Sequence, residues 1–191
     1  MSTFLSDPFT SASTEYVDVT SAPTGGAWAA YAQHSGWSST AQIIGGAGYI
    51  QWGANLATYR STATPGDAFG TYSIVCKVDG GSDGVAAIFG RAASAADTMY
   101  LAMVRENFGS NDIRLERFNA GTYDAGNSTG KSFTAWTTDR TLSLKFEDLG
   151  GGSHKISLLV DGVEELSVTD TSPIAGPGFA VVGGRNAKTS S

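Results

Sequence analysis

Residues His154–Asp170 read HKISLLVDGVEELSVTD: two runs rich in β-branched and aliphatic residues, separated by Asp161-Gly162. Asp-Gly favours a two-residue type I′ turn, because both of its central positions need positive φ. The stretch is therefore a tight antiparallel hairpin. Just upstream, Thr141–Asp148 reads TLSLKFED, with Leu142, Leu144 and Phe146 alternating with Thr141, Ser143, Lys145 and Glu147. A period of two places one face in a core and the other in water. Three consecutive strands of this kind belong to an antiparallel sheet.

The pattern continues outward. Tyr72–Val78 (YSIVCKV) alternates, with Tyr72, Ile74, Cys76 and Val78 on one face. Met99–Glu106 (MYLAMVRE) is apolar on both faces and reads as a central strand covered on both sides, while Asp112–Phe118 (DIRLERF) is more charged and anchored by Ile113 and Leu115. Gly176–Gly184 (GPGFAVVGG) is a further strand entered through a Pro-Gly turn, and Gly150-Gly151-Gly152 is another turn. None of the 5 prolines falls between Gly66 and Ser172, and proline is excluded from central strands, so the main sheets lie in that interval. Arg91–Asp97 (RAASAAD) alone has helical composition, and seven residues without caps make at most one turn. Many short strands with no substantial helix describe an all-β antiparallel sandwich.

Composition agrees. The chain has 191 residues, enough for one well-buried domain, with 25 glycines and only 16% charged residues. The expected organisation is a tail over 1–13, one sandwich over 14–184 and a second loose tail over 185–191. A net charge of −6 with scattered basic residues argues against nucleic acid as a partner. No apolar run approaches the roughly 18 residues of a membrane span, so no membrane insertion is expected. The N-terminal residues lack the charged and apolar segments of a signal peptide. Cys76 is the single cysteine and reads as a buried core thiol.

Several segments together resemble a known family. They are Gly66–Val78 (GDAFGTYSIVCKV), Ala86–Val104 (AAIFGRAASAADTMYLAMV), Ile113–Tyr123, Leu142–Asp148 and His154–Gly178, with Thr14–Gly36 as a first strand. The chain resembles laminin-G-like, concanavalin A-like jelly rolls, in the variants found in bacteriophage and bacterial surface proteins. The resemblance implies a jelly-roll β-sandwich of the concanavalin A-like lectin/glucanase type. It further implies a viral structural protein: a bacteriophage capsid decoration, head-fibre or tail-associated component, assembled in the host cytoplasm and resident in the virion. Its partners would be other virion proteins, self-association and cell-surface glycans. A soluble carbohydrate-binding module is the alternative, and a glycoside hydrolase of the same fold the third reading.

Chemistry is sparse. A glycoside hydrolase needs two carboxylates about 5 to 10 Å apart, and on this fold a retaining pair commonly reads E-x-D-x-E, a string this chain lacks. Glu147-Asp148 and Glu164-Glu165 are adjacent and point to opposite faces. Glu106, Asp112 and Glu116 can meet across a hairpin, but turn and edge charges explain them equally well. The expectation is a protein without catalysis. His34 and His154 stand far apart and read as solvated loop histidines. The resemblance implies calcium at the sandwich rim, for which Asp79, Asp83 and Asp170 are the available carboxylates. Glycan binding calls for exposed aromatic platforms, and Trp37, Trp136 and Tyr59 are the candidates. Phe4, Leu5 and Phe9 crowd the N-terminal segment and are candidates for anchoring to a partner.

Overall fold

The computed structural model describes residues 68–78, 84–93, 98–106, 111–134, 136 and 138–184 with their side chains, and elsewhere the backbone pairing of strands. In chain order the strands are β1 (Glu15–Tyr16), β2 (Ser21–Ala22), β3 (Gly26–Ala30), β4 (Ala41–Ile43), β5 (Ile50–Trp52), β6 (Ala57–Ser61), β7 (Gly70–Val78), β8 (Gly84–Ala92) and β9 (Met99–Glu106). They continue as β10 (Asp112–Asn119), β11 (Thr122–Tyr123), β12 (Thr129–Ser132), β13 (Arg140–Gly150), β14 (Ser153–Val160), β15 (Val163–Asp170), β16 (Phe179–Arg185) and β17 (Ala187–Ser190). The one helical piece among the described residues is a 3₁₀ turn at Ala125–Asn127, N-capped by Asp124.

Two antiparallel sheets form. One has the order β1-β4-β5-β17-β7-β13-β14-β15; the other has β11-β10-β9-β8-β16-β6-β3-β2, with β12 also paired to β10. The hairpin at Asp161-Gly162 is as expected, with φ of 51° and 81° at the two residues. The strand at Ala187–Ser190 corrects the expected C-terminal tail: it pairs with β5 on one side and β7 on the other. A mid-sheet strand such as β7 needs backbone partners on both edges; β13 supplies one and this short polar segment the other.

Leu142, Leu144 and Phe146 of β13 and Tyr72, Ile74 and Cys76 of β7 are buried between the sheets, as their alternation predicts. Burial pushes the Cys76 thiol's pKa far up, so it is an inert core group. Facing them are Tyr100, Ala102 and Val104 of β9 and Ile113 and Leu115 of β10. Val85, Ala87, Phe89, Met99, Leu101 and Val181 form a second buried cluster on the opposite face of the same sheet. That is why Met99–Glu106 is apolar on both sides. No helix among the described residues is long and apolar enough to cross a membrane.

One irregularity shapes an end of the sandwich. Phe179 pairs with Ala92 but Val181 with Phe89, so β8 carries one extra residue at Gly90–Arg91. A bulge redirects a side chain, and Arg91, at φ 53°, is 1% exposed. Its guanidinium sits 4.7 Å from the Phe146 ring centroid and 5.3 Å from that of Phe69. It donates to the carbonyls of Ala68 (2.8 Å from Nη2) and Ile174 (3.0 Å from Nη1), and to Nδ1 of His154 (2.7 Å). His154 is therefore a half-buried strand residue with a fixed partner, not the solvated loop histidine expected.

Candidate functional site

On β10, Ile113 and Leu115 enter the core, so the alternation turns Asp112, Arg114 and Glu116 to the outer face of the sheet. There they line an open groove of about 430 Å³, walled by Tyr123 on β11 and by Ser128 to Ser132 on and just before β12. Arg114 lies between the two carboxylates, its Nε 2.9 Å from Asp112 Oδ2 and its Nη1 3.2 Å from Glu116 Oε1. Arg105, the cross-strand partner of Asp112, forks onto the same carboxylate at 2.7 and 2.5 Å. Burial pushes the Asp112 carboxyl's pKa up, but the guanidiniums of Arg105 and Arg114 outweigh it and hold the group below the usual carboxylate range. An acid so stabilised as its anion is a poor proton donor. Lys131, at the groove wall, is ion-paired with Glu165 of β15.

Gly130 stands opposite Arg114 in the β10–β12 ladder. A Cβ there would sit 3.2 Å from both Arg114 Cγ and the Ile113 carbonyl oxygen, so glycine gives the Arg114 side chain room to lie across β12. Tyr123 is 48% exposed, its ring held edge-on against Phe118 at 5.8 Å.

Glu106 does not join this cluster. It is 2% exposed and accepts a hydrogen bond from the Trp136 backbone N–H at 2.7 Å. Asp112 and Glu116 do come together, through Arg114. The signal was present in the sequence as Asp112-x-Arg114-x-Glu116, three charged side chains on one strand face. Tyr123 carried no such signal, because its exposure follows from a two-residue strand at the sheet edge.

Of the aromatic candidates, Trp136 is corrected. It is 7% exposed, packs into the core and meets Phe133 edge-on at 5.5 Å, so a polar, turn-like sequence concealed a buried ring. Trp37, the Tyr59 side chain, and Phe4, Leu5 and Phe9 lie outside the described residues, as do Asp79 and Asp83.

Asp170 belongs to an internal network. Its Oδ2 accepts from Tyr100 Oη at 2.6 Å and from Arg117 Nη1 at 2.9 Å, and its Oδ1 accepts from the Ser172 N–H at 2.8 Å. Arg117 also reaches Asp124 and the Ser172 carbonyl, both at 3.0 Å. With a guanidinium already supplying the countercharge, Asp170 does not fit a calcium ligand. Among the described residues no three His, Cys, Asp or Glu side chains group as a metal cage.

Scans against protein-family models and curated proteins return no match. Solved structures do match. A carbohydrate binding module, CBM66, from Bacillus subtilis aligns over 95% of this chain and 98% of its own at 17% identity and a TM-score of 0.51. A β-glucanase from Bacillus licheniformis aligns over 92% and 86% at 14% identity and a TM-score of 0.59. A legume lectin-like domain from Entamoeba histolytica aligns over 74% and 79% at 9% identity and a TM-score of 0.50. The fold is a concanavalin A-like jelly roll. At these identities the likeness carries architecture alone, and this jelly roll hosts binding modules, lectins and glycoside hydrolases alike.

Proposed function

We propose that this jelly roll binds carbohydrate without cleaving it, through the groove on the outer face of β10. The carrying observation is that both carboxylates facing the groove are hydrogen-bonded to the single guanidinium of Arg114. Glycoside hydrolysis needs one carboxyl held protonated and a second free to attack or to activate water. Here Asp112 is held as its anion by Arg105 and Arg114, and Glu116 is tied to the same Arg114, so the pair suits recognition instead. The company of a binding module and a lectin-like domain in the same fold supports this reading.

Affinity electrophoresis through gels containing polysaccharides tests it, with a parallel assay for released reducing sugar. Retardation without release is the expected result. Release that disappears in Glu116→Gln would replace the binding reading with a hydrolase.

The setting on a bacteriophage particle remains a proposal resting on the sequence resemblance. Neither the groove nor the three matched structures carries it. In that setting Phe4 and Leu5 would fasten the protein to its assembly. Deleting Met1 to Ser6 would then leave the melting temperature unchanged and weaken co-purification with particles.

A further inference from the structure

Resting on the glycan reading of this groove, we infer that its ligand is an uncharged, hydroxyl-rich sugar, read by Arg114 and Glu116 and stacked on Tyr123. The charges at the groove are already balanced. Three cations, Arg105, Arg114 and Lys131, are paired with three carboxylates, Asp112, Glu116 and Glu165. A uronate or sulfate ester would meet no uncompensated positive charge there, and the chain's net charge of −6 opposes it further.

What the groove does offer is a matched donor and acceptor. Arg114 spends Nε on Asp112 and Nη1 on Glu116; Nη2 makes no hydrogen bond among the described residues, and the side chain is 37% exposed. Glu116 uses Oε1 on Arg114, and its side chain, 9% exposed, lines the groove, which leaves Oε2 to accept from a ligand there. A guanidinium N–H beside a carboxylate oxygen suits adjacent sugar hydroxyls, each of which both donates and accepts. Because one partner of each bond is charged, such bonds are stronger than neutral ones. The pair is also held in place before binding, since Asp112 and Glu116 fix Arg114 from both sides, and preorganisation lowers the cost of association.

Two further features fit the same ligand. Gly130 lets the Arg114 side chain lie close against β12, which keeps its guanidinium seated between the two carboxylates. Tyr123 holds an exposed aromatic ring at the groove wall, where the apolar C–H face of a sugar ring would stack. The volume of about 430 Å³ suits a short oligosaccharide rather than a long chain lying across the sheet.

Affinity electrophoresis with the full chain tests this against two panels, neutral polysaccharides (β-glucan, fructan, galactomannan) and acidic ones (polygalacturonate, alginate). Tyr123→Ala, Gly130→Val and Glu116→Gln are run beside the parent, each with its melting temperature. The expected result is retardation by a neutral polysaccharide at low and high salt alike. Tyr123→Ala, an exposed change that leaves the core intact, should weaken it by about tenfold or more. Gly130→Val and Glu116→Gln should weaken it comparably. Retardation by acidic polysaccharide alone, or lost on adding salt, overturns the neutral ligand while leaving the glycan reading standing. Neutral binding that Tyr123→Ala does not change overturns this groove as its site. No retardation on either panel overturns the glycan reading itself.

Discussion

Arg91 Nη1 lies 2.7 Å from Nδ1 of His154, although the two residues are 63 positions apart. A guanidinium can only donate, so Nδ1 accepts, and the ring is neutral with its proton on Nε2. The contact ties β8 to β14 beneath the loop that follows β15, since the same Nη1 also holds the Ile174 carbonyl.

Burial and the Arg91 charge lower the His154 pKa; Asp148 and Asp170, its neighbours across the strands on either side, oppose them without prevailing. A depressed folded-state pKa means that the unfolded chain binds the proton more readily. The stabilisation is fully present above the unfolded value of about 6.5 and is lost as pH falls through the folded value. Melting temperatures taken between about pH 7 and pH 5 should therefore fall, and His154→Gln, which can accept from Arg91 without titrating, should flatten that fall. Parallel curves for the two proteins would show that His154 is not the group responsible. The carboxylates with lowered pKa, Asp112, Asp124 and Glu164, lose their contribution only at more acid pH.

Asp170 is 1% exposed and balances Arg117, whose Nε has no hydrogen-bond partner among the described residues. Asp170→Asn removes the buried one of Arg117's two carboxylate partners, leaving only the more exposed Asp124, and should cost up to about 3–5 kcal/mol in denaturant unfolding. Tyr100→Phe leaves the charge pair intact but deprives Asp170 of one donor and the Ile174 N–H of its acceptor. It should cost less, about 1–3 kcal/mol.

Gly178 has φ +58°, and a Cβ added there would lie 2.4 Å from the Arg91 carbonyl carbon. Backbone cannot yield as a flexible side chain can, so Gly178→Ala should dislodge the bulge that aims Arg91 inward. Gly151→Ala is the control: its φ is +64° with open space around it, so it should cost only the left-handed strain of about 1–2 kcal/mol. Equal melting temperatures for the two variants would mean that the Arg91 bulge does not depend on Gly178.

Leu144 is 0% exposed at the centre of β13, opposite Tyr72 on one side and Leu158 on the other. Leu144→Ala should lower unfolding stability by about 2–5 kcal/mol, the transfer and cavity terms together. A change below about 0.5 kcal/mol would place the strand outside the core.

The β-architecture was legible because it is written locally. Alternation in TLSLKFED assigns each side chain to a face without knowledge of any partner, and Asp161-Gly162 names its own turn. The C-terminal strand was not legible, because Ala187–Ser190 is too short and polar to signal a strand until β5 and β7 stand on either side of it. Trp136 was misplaced for a related reason: its neighbours are polar, while the ring is buried by Phe133 and the core beneath.

The sequence by itself determined an antiparallel sandwich, its central strands, its inert cysteine and its net charge of −6. Those properties follow from residue periodicity, turn chemistry and composition, each read within a few positions or summed over the chain. Only the tertiary structure decided which charges meet. Arg91 with His154, Arg117 with Asp170 and Lys131 with Glu165 are brought together by strands distant in sequence. Asp112-x-Arg114-x-Glu116 becomes a groove only when Tyr123 and β12 close beside it. A side chain's face is set by its own strand; its partner is set by the packing of all the others.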